Sequence, residues 1–133
     1  MAKIIDKLAW IELQDGKILS TRSKGKKVYY IPGGKREEGE TDHQALIREI
    51  NEELSVDLIE SSLSFMGVFE AQADGHPEGV IVKMTCYTGS YRGTLKTAAE
   101  IEEMIWLNDK DRDCIAPIDQ LIFDFLRDKG VLK

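Results

Sequence analysis

The segment from Gly33 to Val56 constrains this chain more than any other part of it. It begins with a turn. Pro32-Gly33-Gly34 lets the backbone reverse tightly and lets other groups approach it closely. Thr41 and Gln44 form the Thr-x-x-Gln pattern of a capping box, so a helix is predicted from Thr41 to about Leu54. Leu46, Ile47, Ile50 and Leu54 recur at helical spacing as an apolar stripe. At roughly 100° per residue, Glu49, Glu52 and Glu53 fall together on another face, with Arg48 at its edge. Such a helix has to lay its stripe on other structure, and it leaves three carboxylates in one patch.

The rest of the chain supplies that structure. Leu8–Leu13 reads as a strand, Asp15-Gly16 as a two-residue hairpin turn, and 17–21 as the returning strand. Val28–Ile31 reads as a short strand, and 63–70, 80–88 and 101–107 as three more. In the second of these, Val80, Val82, Met84 and Cys86 share one face by alternation. Pro117 at a first helical position and Gly130 past the end bracket a C-terminal helix, with apolar residues at 118, 121, 122, 125 and 126. This order predicts an α+β fold, a mixed sheet covered by helices. No repeat or Pro/Ser-rich linker divides the chain, so 1–133 is read as a single domain, long enough to bury a core without disulfides.

Charge narrows the functions available. The net charge is −6, from 18 Lys and Arg against 24 Asp and Glu, which argues against a nucleic-acid partner. No apolar run approaches the length of a membrane span, and Met1–Trp10 lacks the apolar centre of a secretion signal. Cys86 and Cys114 form no Cys-x-x-Cys pair and read as reduced thiols, which points to the cytoplasm. Positive charge is nevertheless concentrated. Arg22, Lys24, Lys26, Lys27, Lys35 and Arg36 crowd one stretch just ahead of the acidic cluster. Two readings stay open there: a solvated loop, or a phosphate-attracting lip.

The glutamates are poor helix design by themselves. Glu49 and Glu53 are like charges at i,i+4, a cost of roughly 0.2–0.5 kcal/mol, and only Arg48, four residues before Glu52, compensates. A hard cation such as Mg²⁺ or Mn²⁺ would supply the missing partner, since it takes carboxylate oxygens and keeps positions open for water and phosphate. A plain solvated acidic face is the alternative.

Turn, spacing and helix together resemble the signature of the Nudix hydrolase family: Gly, five residues, Glu, seven residues, then Arg-Glu-apolar-x-Glu-Glu-x-Gly-apolar. The match falls on Gly34, Glu40, Arg48, Glu49, Ile50, Glu52, Glu53 and Val56, so the box spans 34–56. Ser55 departs from it, standing where the signature has its second glycine. The resemblance implies a Nudix-type α/β/α sandwich around a central mixed sheet. It implies divalent-metal-dependent hydrolysis of a phosphoanhydride bond by an activated water. The expected substrate is a nucleoside triphosphate, as in the MutT-like branch, or a nucleoside diphosphate linked to another moiety.

By the same resemblance, Glu49, Glu52, Glu53 and the carbonyl of Gly33 hold Mg²⁺ (or Mn²⁺), and Arg48 orients the glutamates together with Glu40. The general base is Glu49 or Glu52 of the box, or Glu100 from a later loop in preference to Glu102 and Glu103. Arg22 resembles a substrate contact, and Lys35 of the basic stretch joins it. Trp10, Tyr29, Tyr30, Phe69, Tyr87 and Trp106 are candidates to stack on a base, and His76 lies in a turn-rich loop that could border the substrate. The partner is then a small nucleotide, and a homodimer is admitted by analogy with Nudix relatives. A second function stays open, a catalytically weak Nudix-fold nucleotide-binding or sensor module, with Ser55 its sequence support.

Overall fold

The computed structural model describes residues 3–133; two residues of the N-terminal stretch weighed above as a leader, Met1 and Ala2, lie outside them. In chain order the elements begin with strands β1 (Lys3–Ile11), β2 (Leu13–Gln14), β3 (Lys17–Ser23) and β4 (Gly33–Gly34), then helix α1 (Asp42–Leu54). They continue with β5 (Asp57–Leu58), β6 (Ser64–Gln72), β7 (Val80–Thr88), β8 (Tyr91–Arg92), β9 (Ile101–Leu107) and helix α2 (Pro117–Asp128).

β1 organises the molecule. It runs parallel to β7, in register from Lys3↔Val80 to Ile11↔Thr88. β6 adds antiparallel to β7, and the two-residue β4 adds antiparallel to β1, giving the order β4-β1-β7-β6. A second sheet has the order β2-β3-β9, and β5 pairs with β8. With one parallel and several antiparallel pairings, the architecture is α+β around a mixed sheet.

Alternation along the strands divides the core into two layers. Leu8 and Trp10 of β1, Leu19 of β3 and Tyr87 of β7 pack with Ala45, Leu46, Ile50 and Leu54 of α1. Ala9 and Ile11, Ile18, and Val82, Met84 and Cys86 pack with Ile118, Ile122, Phe123 and Leu126 of α2. Neighbouring residues of one strand thus serve opposite faces, with a helix on each. Each fully buried aliphatic side chain contributes about 1.5–3 kcal/mol. Cys86 and Cys114 are both free.

α1 starts as its sequence predicts. The Thr41 hydroxyl accepts from the Gln44 N–H at 3.2 Å, and the Gln44 side chain accepts from the Thr41 N–H at 3.0 Å. Its end answers the question raised by Ser55. That residue is left-handed (φ 64°, ψ 22°), and its N–H donates to the Asn51 carbonyl at 3.0 Å. Serine therefore makes the turn that glycine makes more cheaply.

Two strand expectations and one helix expectation need correction. β1 begins five residues before Leu8 and breaks at Glu12, because its first half finds β7 as a parallel partner invisible to local patterning. Val28–Ile31 is not a strand. Only Tyr29 and Tyr30 make isolated bridges, to Ile115 and Thr21, since Pro32 cannot extend a ladder. In α2 the buried aromatic is Phe123, while Leu121 stays exposed.

Candidate active site

A cavity of about 480 Å³ runs from α1, past the short edge strand β4, onto the sheet face that α2 covers. Glu49, Glu53, Glu100, Gly33, Gly34 and Lys35 line one part. Ile5, Ile31, Val82, Met84, Ala116 and Ile118 give the other part an apolar lining, with Tyr30, Asp74 and His76 also on its walls.

The loop glycines make the first part. Leu8 pairs with Gly34 and Ala9 with Gly33, which brings the turn flat against β1. Gly33 is left-handed (φ 149°), and a side chain there would run into the Leu8 carbonyl oxygen. A side chain on Gly34 would overlap the Glu49 carboxylate. The turn therefore delivers bare backbone to the acidic face of α1, and the Gly33 N–H donates to Glu53 Oε1 at 3.3 Å.

Arg48 holds the box together. Its guanidinium donates from Nε to Glu40 Oε2 and from Nη2 to Glu40 Oε1, both at 2.8 Å. It also reaches Glu49 at 2.8 Å, Glu52 at 3.4 Å and the Lys35 carbonyl at 3.0 Å. This fork pulls the Glu40 carboxyl down to about 2, helped by the Glu37 N–H. The glutamates facing the cavity behave oppositely. Burial raises Glu49, against the pull of Arg48. Burial pushes Glu53 up to about 8; its bond from Gly33 opposes this, Glu49 and Glu100 add to it, and Lys7 opposes it.

Glu100 arrives from a different loop. Ala98 N–H donates to the Glu53 carbonyl at 3.0 Å, and Lys96 N–H to the Leu54 carbonyl at 2.9 Å, docking this loop on the end of α1. Ala99 turns left-handed (φ 53°), and the Glu100 carbonyl accepts from the Lys24 N–H at 2.8 Å. The structure thus brings together Gly33, Lys35, Glu49, Glu53 and Glu100. Arg48 and Glu52 stand beside the cavity rather than lining it, Glu52 being half exposed.

Arg22 does not line the cavity, although its neighbours Thr21 and Ser23 do. Its donors go to Glu103 at 3.3 Å, Glu102 at 3.2 Å and the Lys26 carbonyl at 3.1 Å, so it fastens β3 to β9. Of the aromatic candidates, Tyr30 lines the cavity, its hydroxyl donating to Asp74 at 2.9 Å. Trp10 is core, donating to the Gly89 carbonyl at 3.1 Å. Tyr29 donates to Glu103, Tyr87 to Asp42, and Phe69 packs on Phe125. Trp106 borders a smaller depression with Lys17.

Two charged residues escaped the sequence reading. Lys7 lies on the cavity floor, but its strand was predicted to start one residue later. No local signal marks it, because the start of β1 is set by its pairing with β7. Asp119 is fully buried; Oδ2 accepts from the Ile31 N–H at 3.0 Å, and Oδ1 has no partner among the described residues. Burial pushes its carboxyl up to about 7. In the sequence it looks like an ordinary acid in the first turn of a helix.

The donor chemistry suits a hard divalent cation. Glu49, Glu53 and Glu100 present carboxylates to one cavity, Glu100 disfavouring the charge of the other two, and the bare Gly34 lets the Glu49 carboxylate lie against the turn. Among the described residues, no three His, Cys, Asp or Glu side chains are yet gathered as a closed ligand set; Glu49 is drawn toward Arg48 instead.

The mixed sheet with a helix on each face, the bare-backbone turn and the glutamate-bearing helix together form one site. The sequence pattern of the NUDIX domain matches residues 7–117, and the chain belongs to the Nudix family, whose hydrolases cleave nucleotide-linked pyrophosphates and generally use divalent metals. It is similar to a Bacillus subtilis (strain 168) protein described as an uncharacterized Nudix hydrolase, YvcI: 29% identical over 121 residues, 89% of this chain and 77% of that one. It is 28% identical over 114 residues to the CTP pyrophosphohydrolase of Escherichia coli (strain K12), covering 82% of this chain and 79% of that one. The solution structure of the E. coli ORF135 protein superposes with a TM-score of 0.72 at 26% identity, over 95% of this chain and 92% of that one. Among the described residues no helix is long and apolar enough to cross a membrane.

Proposed function

We propose that this chain hydrolyses a phosphoanhydride bond of a nucleoside triphosphate in a divalent-metal-dependent reaction. One observation carries the reading: a single cavity joins three acidic side chains and a bare-backbone turn to an apolar compartment. A nucleotide has the same polarity, phosphates at one end and a base at the other. The volume, about 480 Å³, lies within the range of small-molecule sites. The E. coli relative's name, CTP pyrophosphohydrolase, supports a triphosphate over a diphosphate joined to another moiety.

Glu49, Glu52, Glu53 and the Gly33 carbonyl would hold Mg²⁺ or Mn²⁺. The bound cation supplies charge neutralisation on the phosphate oxygens and a more acidic water. In the reaction the water oxygen bonds to phosphorus, and the bridging P–O bond breaks with its electron pair staying on the departing phosphate. Glu100 takes the water's proton. It comes from a loop separate from the box and lines the same cavity as Glu49 and Glu53, leaving those two to hold the cation. Arg48 positions Glu49 and Glu52 through its fork on Glu40. Lys26 and Lys35 line the same cavity and attract the phosphates, so part of the basic stretch acts as a lip. Ser55 keeps the left-handed turn, which supports the catalytic reading over a non-catalytic sensor.

The test is release of phosphate or pyrophosphate from a panel of nucleotides with Mg²⁺ or Mn²⁺, for wild type and Glu53→Gln side by side. The reading expects turnover that falls by orders of magnitude in the variant. No hydrolysis of any compound with either metal would overturn it, and tight nucleotide binding without product would favour a binding module.

A further inference from the structure

Lys7 is the charged residue on an otherwise apolar floor. Along this face β1 presents Ile5, Lys7 and Ala9, and Lys7 lies in register with Met84 of β7. Its neighbour Leu8 pairs with Gly34, the residue that abuts Glu49. Its charge acts on Glu53 of α1 and on the buried Asp119 of α2. Lys7 therefore stands at the boundary between the acidic and apolar compartments. Among the described residues it makes no ion pair within 4.0 Å, and neither do the loop lysines Lys26 and Lys35.

An ammonium on apolar floor loses solvation and returns little unless an anion meets it. Glu53 and Asp119 attract it electrostatically without bonding to it, and each is engaged by a backbone N–H, from Gly33 and Ile31 respectively. A ligand that puts its apolar end among Ile5, Val82, Met84 and Ile118, and its outer phosphates beside the glutamates, carries its innermost phosphate past Lys7. A compact ammonium with three donors suits a single non-bridging phosphate oxygen. It approaches from the sheet, opposite the carboxylates of α1, so it and a cation held by those carboxylates do not compete for the same oxygens.

We propose that Lys7 is a substrate-binding residue that holds a non-bridging oxygen of the phosphate attached to the nucleoside. This rests on the nucleotide reading above. It makes Lys7 the link between the two compartments: it senses a phosphate at the correct distance from whatever the apolar compartment accepts.

The experiment compares wild type, Lys7→Met and Lys7→Arg on the best nucleotide of the panel. Binding of a non-hydrolysable triphosphate analogue and of the corresponding nucleoside is measured in parallel, with thermal melting of each variant. A ground-state phosphate contact raises KM at least tenfold in Lys7→Met and changes kcat by less than threefold. Affinity for the analogue falls by a similar factor, affinity for the nucleoside does not change, and Lys7→Arg recovers most of the loss. Lys7→Gln, which keeps a polar head group, replaces Lys7→Met if that variant melts below the assay temperature. Unchanged KM and analogue affinity in a folded, charge-free variant would overturn the proposal. So would an equal loss of nucleoside affinity, which would move Lys7 to the base. A shift in melting temperature alone would make it a structural counter-charge to Glu53 and Asp119. A wild type inactive on every nucleotide would remove the functional reading itself and Lys7's role with it.

Discussion

Gly34 and Glu49 occupy adjoining space: a Cβ on the glycine would sit within the carboxylate, 2.9 Å even from its more distant oxygen Oε1. The obstacle is the end of a flexible side chain, so Gly34→Ala should fold normally while pushing Glu49 off the position Arg48 gives it. The expected result is a loss of activity of about 100-fold, the scale on which small misplacements act, with melting unchanged within about 1 °C. Gly33→Ala should behave in the opposite sense. Its Cβ meets the rigid Leu8 carbonyl at a left-handed φ, so it lowers stability by roughly 2 kcal/mol or more. Melting curves and turnover on the two variants check the contrast.

Glu53→Gln should separate stability from activity. The carboxyl is buried beside Glu49 and Glu100 and pushed up to about 8, so in metal-free protein its charged form is a burden. Removing it should raise the melting temperature at pH 8 by several degrees while turnover disappears. Differential scanning calorimetry in EDTA reads the first effect, and the nucleotide assay the second.

Ser55→Gly should stabilise the protein by about 1 kcal/mol, because serine pays the left-handed penalty that glycine avoids. Urea unfolding measures the gain. Turnover should not change, since Ser55 supplies a turn and no ligand.

Asp119 gives stability a pH dependence of known sign. Unfolded, its carboxyl ionises near the ordinary aspartate value of 3.8; folded, burial holds the proton up to about 7. Between these values the folded state binds more protons, so stability falls as pH rises, by at most about 1.4 kcal/mol per pH unit. Below about 3.8 this contribution is fully present, and above about 7 it is lost. Asp119→Asn can still accept from the Ile31 N–H and should flatten the decline in melting temperature between pH 5 and pH 8. A variant whose decline matches wild type would show that other groups set it.

The site was legible in the sequence where its geometry is local. Thr41 and Gln44 announce the start of α1, and helical periodicity alone puts Glu49, Glu52 and Glu53 on one face. Joining that face to Gly33 and Gly34 required only that the turn fold back on its own helix. What stayed hidden depends on partners far along the chain. Nothing near Lys7 says that β7 will extend β1 back to Lys3, and so Lys7 looked like a residue ahead of a strand. Arg22 lies near the end of β3, but its engagement by Glu102 and Glu103 depends on β9, some eighty residues later. Asp119 shows the same limit: the helix turn was evident, but not that Ile31 would lie above it.

The nine-residue parallel ladder between β1 and β7 also has a consequence for how the molecule comes into being. Residues at the start of the chain cannot find their partners until Val80–Thr88 exists. Closing so long a loop delays the reward of pairing, which places refolding among the slower mixed-topology domains, in milliseconds or longer. On a nascent chain, α1 can form early from its own cap and stripe, but it has no completed floor beside it. The cavity therefore assembles late and at once, when β7 slots in beside β1.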